Sequence, residues 1–544
     1  MDQRKKKQSI IYGALTGTVG IFLTKALGLI YASPFQAMAG DQMIFYTNTY
    51  QIYDFLLMVS LSGIPFAIAS LVAKYVARDD YQTVLGIRKI SNFMVGCIGI
   101  VIFVLLVLNS GSIVNWLAPS RDAVYLAKYQ TCLIIMAFAL LTVPLLSAYR
   151  GFYQGLKDFG VYAFTQVLEQ IIRISFLLGM GCLAIYVFHQ EAIWSVYFAV
   201  ASMSVSALGT IIFFLKFDRK HLPQLKAKAS QQTDTPKTNK EIFKEILWLS
   251  VPFLLVSVID NFNGIINLYY VVRSLITYGY SPEYADTVYR IMNFNVYKLT
   301  SIPQIVGPGF SIAIIPHLTG DLGNNNFEGL KNKITKIFSS AGYFFYPLIA
   351  MMIIYAGEIY FVMYGGYNLE LGTKILRWSL VVTIFWLMLY LSNHIMLTMK
   401  LRRFSVLYTT IDVLVSLTFV GMVISNYSIE GLYVLSIGQY LVFSLIEWAT
   451  MKHYYPFIRF GPLIKNQFKE ITACLGVVLV AYLLSFIPVD AIAFGRVFSF
   501  FYVGAECIIE LLVYLLITYQ FKLPQTIFGI DWQTLKQKFN LKSK

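Results

Sequence analysis

The sequence predicts an all-α polytopic membrane protein of fourteen transmembrane helices. These form two pseudo-symmetric six-helix lobes followed by two C-terminal helices. Three observations predict this fold. The 544 residues are 57% hydrophobic and only 13% charged, with a mean hydropathy of +0.64; a soluble chain of this length needs far more charge to cover its surface. Apolar runs of about 20 residues recur from end to end, each long enough to cross a bilayer as a helix. They are continuous rather than alternating, which disfavours a β-barrel. Basic residues then fill every second loop, as the positive-inside rule requires of a chain that crosses repeatedly.

The spans fall at 10–32, 46–77, 87–109, 124–148, 160–187, 191–217, 242–275, 288–317, 333–361, 372–400, 404–425, 429–452, 470–487 and 494–520. The first follows Arg4-Lys5-Lys6-Lys7 with no small-residue cleavage site behind it, and reads as a retained helix. One set of loops carries Arg78–Lys89, Arg150–Lys157, Lys216–Lys244, Lys331–Lys336, Lys400–Arg403, Lys452–Lys469 and the tail after Lys522. The alternate set is nearly free of Lys and Arg, Arg121 excepted. Both termini are therefore expected in the cytoplasm. Much of the net charge of +15 is a topology signal beside anionic lipid, and no basic folded domain is long enough for nucleic acid.

The expected layout is an N-lobe at 1–217, a flexible cytoplasmic linker at 218–241, a C-lobe at 242–452, an added helix pair at 453–521 and a cytoplasmic amphipathic tail at 522–544. An internal repeat supports the two lobes. Tyr53–Ile90 slides without gaps onto Tyr297–Ile334, where Tyr53, Gly63, Phe66, Ile68, Ala69, Lys89 and Ile90 meet identical residues. Parallel repeats with an even number of spans are a known transporter design. The exchange that stands out is Asp54 against Lys298, opposite charges at equivalent depth. They are the candidates for an outer gate.

Ionisable groups inside a bilayer are costly, so each is weighed for function. Lys25 lies deep in span one, beside glycines that permit close helix approach; it faces a water-filled cavity or pairs within a lobe. Span five carries Tyr162, Gln166, Glu169, Gln170 and Arg173 on one face. Glu169 and Arg173 are four apart, so a structural pair and a substrate contact are both open. Span seven places Asp260, Asn263 and Asn267 on one face, with Asp412 of span eleven able to join them. That set suits a monovalent cation or a proton relay; interhelical hydrogen bonding is the plainer alternative. Span eight carries Lys298 and Gln304 beside Pro303, Gly307 and Pro308, which break the helix as in cavity-lining segments. Candidate head-group contacts are thus Lys25, Lys298, Arg173, Gln166 and Gln304, and candidate coupling residues are Asp260, Asn263, Asp412 and Glu169. The five cysteines and five histidines are scattered, with no metal-ligand, redox or catalytic spacing, and no phosphate-binding glycine loop is present. A transporter is expected rather than an enzyme, with neither cofactor nor metal. Coupling to Na+ or H+ and to the membrane potential takes their place.

Spans four and five read Tyr149-Arg150-Gly151-Phe152-Tyr153-Gln154-Gly155-Leu156-Lys157 and then Gln166-Val167-Leu168-Glu169-Gln170-Ile171-Ile172-Arg173. This segment, with Thr24-Lys25-Ala26-Leu27-Gly28, resembles the polysaccharide-export branch of the multidrug/oligosaccharidyl-lipid/polysaccharide (MOP) flippase superfamily, in particular its Gram-positive YtgP/SpoVB-type and MurJ-like lipid II flippases. The resemblance implies a flippase in the cell membrane of a Gram-positive bacterium. Its substrate would be an undecaprenyl-pyrophosphate-linked peptidoglycan precursor, moved from inner to outer leaflet by alternating access, with the cell-wall synthesis machinery as a partner. It also implies a groove for the lipid tail beside the two added helices. One departure stands out: a second basic residue common in the first span falls here on Tyr31. The alternatives are a flippase for a capsule or teichoic-acid precursor, and a cation-coupled multidrug exporter of the same superfamily.

Overall fold

Helix, and no strand, makes up the regular structure among the described residues. The computed structural model describes residues 23, 24, 27–61, 63–119, 121–232, 235–307, 318, 327–458, 460–487 and 489–528, with all their side chains except those of 60, 61, 252, 253, 255–257 and 260. Lys25, the Asp260 side chain, Pro308 with most of the second repeat's breaker, and the tail beyond Phe528 lie outside that set.

The helices are α1 (Ala32–Ala39), α2 (Met43–Leu61), α3 (Ile64–Val76), α4 (Tyr81–Leu117), α5 (Ala123–Gly155), α6 (Phe159–Cys182), α7 (Ile193–Ser230), α8 (Asn239–Tyr278), α9 (Pro282–Arg290), α10 (Tyr297–Gln304), α11 (Phe327–Ile354), α12 (Ala356–Tyr364), α13 (Leu369–Thr398), α14 (Arg402–Tyr454), α15 (Gly461–Leu484), α16 (Arg496–Gln520) and α17 (Leu523–Phe528). Ten helical runs among the described residues are long and apolar enough to cross a membrane. The chain is a multi-pass membrane protein.

Local chemistry sets many of the boundaries. Asp80, Asp122 and Asp158 cap α4, α5 and α6, each carboxylate accepting the backbone N–H three residues on. Gly63 takes the left-handed φ of 82° that ends α2, and Pro65 starts α3 behind it. Within α14, Ser428 adopts φ 59° and ψ −160°, so α14 is two helices meeting at a kink, as the expected spans 404–425 and 429–452 require. Two π-helical turns, Leu183–Val187 and Ile291–Val296, follow α6 and precede α10.

The expected linker differs from the structure. Helix α7 continues through Pro223 to Ser230, so little of 218–241 is non-helical. Asp218 explains part of this: it is buried, and Arg88 and Tyr153 both donate to its carboxylate. The residues beyond it, Lys226-Ala-Lys-Ala, are good helix formers. The short connection to α8 is also tied down, with Gln232 donating to Asp80 and Lys237 N–H to Thr83.

By contact the chain divides into one unit of residues 1–276 and 280–290 and a second of 277–279 and 291–544. Helix α8, expected to open the second lobe, groups with the first. Near its start Glu245 accepts from the Tyr75 hydroxyl at 2.9 Å and pairs with Lys74 at 3.3 Å. Towards its end Arg273 donates to the Trp116 carbonyl, and Tyr269 stacks on the Trp116 ring at 4.5 Å. Inside the first unit, α5 packs on α4, α7, α3 and α2. Gly151 and Gly155 permit the approach of α3: a Cβ on Gly151 would meet the Pro65 carbonyl at 2.7 Å, and one on Gly155 would meet Val72 Cβ at 2.6 Å. In the second unit α13 packs on α14, and α15 on α11 and α16.

Candidate functional site

Helix α6 presents Gln166, Glu169 and Arg173 at spacings of three and four, on one face. Glu169, 9% exposed, sits between two guanidinium groups: Arg173 at 2.9 Å on one carboxylate oxygen and Arg150 at 2.9 Å on the other. Arg150 also donates to the Thr165 carbonyl at 2.7 Å and hydroxyl at 3.3 Å. The cluster therefore holds two cations and one anion. Its net positive charge is enclosed between α5 and α6, two helices long and apolar enough to span a membrane, and an unpaired enclosed ion is costly. Arg173 is close enough to Tyr46, Tyr50 and Tyr53 of α2 to interact with them electrostatically. Those tyrosines form a column, with successive ring centroids 5.9 Å apart. Asp54 follows on the same helix, half-buried, with no ion pair or hydrogen bond among the described residues. Gln166 is half-buried beside the cluster.

A second charged group lies at the end of this unit opposite the basic loops. Arg290, 1% exposed, donates to the Gly40 carbonyl at 2.6 Å and pairs with Asp41 at 3.0 Å. Arg121 pairs with Asp286 at 2.6 Å and donates to the Pro282 carbonyl at 3.0 Å. Together with Tyr125 and Lys128 they border a cavity of about 350 Å³. Burial pushes the Asp286 carboxyl up to about 6, with Arg121 opposing the rise. Arg290 reads from sequence as a cation at a span end, placed at the membrane interface. In the structure it is enclosed, because the α1–α2 turn covers it.

In the second unit, the π-helical turn before α10 is anchored by α12. The Tyr364 hydroxyl donates to the Asn295 carbonyl at 3.0 Å, and the Asn295 amide to the Tyr360 hydroxyl at 3.4 Å. Such turns free backbone groups and favour functional positions. Lys298 follows one residue into α10, its Nζ 5.9 Å above the Phe294 ring, and Gln304 lies half-buried at the helix end. Asp412 is buried; the Gln439 amide donates to its carboxylate at 3.1 Å, to its carbonyl at 3.2 Å and to Ser416 at 3.0 Å. Asn263 belongs to the first unit and Asp412 to the second, as do Asp54 and Lys298 respectively.

The structure thus brings Glu169 and Arg173 together with Arg150, a residue that sequence reading assigns to loop topology. The Arg150-Gly151 segment carries this cation, and the nineteen-residue separation from Glu169 hides the contact in sequence. No group of three or more His, Cys, Asp or Glu suited to a metal occurs among the described residues.

A family model described as polysaccharide biosynthesis protein matches residues 11–320, which contain the whole charged face of α6. The chain belongs to this family. Two curated members of the wider group come from Bacillus subtilis. Lipid II flippase MurJ is 25% identical over 82% of this chain and 83% of its own length. Stage V sporulation protein B is 21% identical over 90% of this chain and 91% of its own. Among solved structures, lipid II flippase MurJ in an inward closed conformation superposes with a TM-score of 0.68 at 12% identity, over 93% of this chain and 98% of that one. An inward-facing multidrug resistance MATE transporter of the MOP superfamily gives 0.62 at 14% identity, over 81% and 98%. The family chain therefore has the MOP fold that the motif resemblance led one to expect, and its relatives are membrane transporters and flippases.

Proposed function

We propose that this protein is a flippase for the undecaprenyl-pyrophosphate-linked peptidoglycan precursor lipid II, carrying it from the inner to the outer leaflet of the cell membrane of a Gram-positive bacterium. One observation carries the reading: the net-positive Arg150–Glu169–Arg173 cluster, enclosed between the long apolar helices α5 and α6 of a chain similar over most of its length to a lipid II flippase. A pyrophosphate-linked head is anionic and too polar to cross lipid unaided, while its tail can stay in the bilayer. A cluster with one surplus cation attracts that head without binding it as tightly as unpaired arginines would. Arg173, Gln166, Lys25, Lys298 and Gln304 are the proposed head-group contacts. Asp54 and Lys298 are the proposed outer gate, and α15 with α16 the proposed bed of the lipid tail. Glu169 is occupied by two arginines, so Asp260, Asn263 and Asp412 are the better coupling-ion positions. With both termini cytoplasmic, an outside-positive potential favours outward movement of an anion by about 2.3 kcal/mol per charge per 100 mV. The cell-wall synthesis machinery is the proposed downstream partner.

Depletion followed by analysis of lipid-linked intermediates tests the proposal: lipid II is expected to accumulate. The family's description and the sporulation relative favour one second reading, a flippase for another lipid-linked oligosaccharide. Unchanged lipid II with a different undecaprenyl-linked sugar building up would establish that reading instead.

A further inference from the structure

The second unit contains a cavity of about 480 Å³ at the end of α11 and α15 that lies on the basic-loop face. Its rim carries Lys331 and Lys336 from α11 and Lys465 and Lys469 from α15, and no acid among the described residues lines it. None of the four lysines has an ion-pair partner among the described residues; Lys469 donates to the Phe521 carbonyl at 3.1 Å. The floor is polar and ordered, the buried Asn466 amide donating to the buried Ser339 hydroxyl at 3.0 Å. The first turn of α15 also faces this end, with Pro462 at its start, so the partial positive charge of its free N–H groups adds to that of the lysines. The nearby acid Glu470 lies one turn deeper, fully buried near Gly342 and Tyr346 and outside the cavity lining. Four lysines around one cavity raise its positive potential and favour an anion there.

The surroundings indicate where that anion comes from. Beside Lys465 and Lys469, α15 exposes Ile464, Phe468, Ile471 and Leu475, from 50% to 71%, at spacings of three and four. These residues form an apolar strip along the helix, on the face about 100° around from Lys465 and Lys469 and outside the cavity lining. A soluble anion has no use for such a strip, whereas acyl chains do. Basic pockets between membrane helices on the cytoplasmic side bind acidic lipid head groups.

We infer that Lys331, Lys336, Lys465 and Lys469 form a binding site for the phosphate head of an acidic phospholipid, whose chains lie along the Ile464–Leu475 strip. The site is separate from the α6 cluster, and its test reads binding, not flipping. The purified full chain is placed in nanodiscs of phosphatidylcholine with a minor share of phosphatidylglycerol, and the lipids retained after detergent extraction are counted by native mass spectrometry. The wild type is expected to retain phosphatidylglycerol well above its share. The triple variant Lys331→Gln/Lys336→Gln/Lys465→Gln, which spares the structural Lys469 bond, is expected to lose that enrichment by roughly tenfold or more, at up to a factor of about five per lysine. The matching triple arginine variant is expected to keep it, which separates loss of charge from loss of fold. Equal retention in wild type and glutamine variant overturns the site. Displacement of the lipid by millimolar inorganic phosphate, with no effect of chain length, overturns the lipid as its occupant.

Discussion

Replacing Glu169 by Gln removes the one anion between two enclosed guanidinium groups. The side chains of Arg150 and Arg173 are 14% and 21% exposed, and Glu169 has 11%. With the carboxylate gone, both cations remain in place and uncompensated, except for the bonds from Arg150 to Thr165. Breaking a buried pair in this way costs about 3–5 kcal/mol, because the partners keep their desolvation penalty after losing the attraction. The two arginines also repel each other across the vacated position. A second substitution, Arg150→Gln, removes one stranded cation and lets the remaining Arg173 lie beside two amides. The double variant is therefore expected to recover at least half of the loss, roughly 1.5–2.5 kcal/mol, and the coupling is that recovery plus the loss of Arg150→Gln alone. The assay is the apparent melting temperature of purified protein in detergent, followed by size-exclusion profile after heating, for wild type, both single variants and the double. If Glu169→Gln melts with the wild type, or the two losses simply add, the three residues do not act as a unit and the reasoning fails.

Gly151→Val and Gly155→Val are each expected to destabilise by about 1–3 kcal/mol, since the added carbon meets Pro65 or Val72 at less than contact distance; unchanged melting would mean that α3 does not approach α5 this closely. Asp286 gives a pH dependence of definite sign. Its carboxyl is pushed up to about 6 by burial, against Arg121 and Arg290 with Glu283 and Tyr125 nearby. A group whose packed-state value is raised binds a proton on packing. The seat of α9 on α5 is therefore expected to tighten as pH falls through about 6 towards 4, by up to about 3 kcal/mol, and to loosen as pH rises through 6. Spin labels on Lys128→Cys and Thr287→Cys in a cysteine-free background should report a distance distribution that narrows from pH 7.5 to pH 5. Asp286→Asn should remove the change, and broadening at low pH would reverse the sign. For the proposed gate, Asp54→Lys and Lys298→Asp are each expected to lower transport and the double swap to restore it; a swap as inactive as the single variants would discard the gate and leave the fold untouched.

Much of the architecture was legible because it rests on local signals. A run of about 20 apolar residues forms a helix in lipid wherever its partners lie; the expected starts at 124 and 160 fall one residue from those of α5 and α6, whereas 87 falls six residues inside α4. The polar Asn426–Ser428 step was enough to split α14 at its kink. Contacts between distant segments were not legible. Arg150 reads as a loop cation until α6 folds back and brings Glu169 to it. Arg290 reads as an interfacial cation until the α1–α2 turn covers it. Helix α8 reads as the start of a second lobe, since nothing local shows that Glu245 and Arg273 tie its two ends to α3 and α4. The lysines of α11 and α15 are a topology signal in sequence, and only the packing of those two helices makes them one cavity. Gly151 and Gly155 stood between the two, visible as small residues four apart but with no indication that α3 was their partner.

The central claim is that this protein moves lipid II across the membrane, and the most direct measurement is the amount of lipid II exposed on the outer leaflet. Cells dependent on this protein are depleted of it and treated with a membrane-impermeant reagent that cleaves lipid II, and the cleaved fraction is compared with total lipid II. The account predicts that total lipid II rises while the cleaved fraction falls, and that wild-type protein, but not a variant lacking the charges of Arg150 and Arg173, restores it. A cleaved fraction that is unchanged on depletion, with other flippases absent, would contradict it.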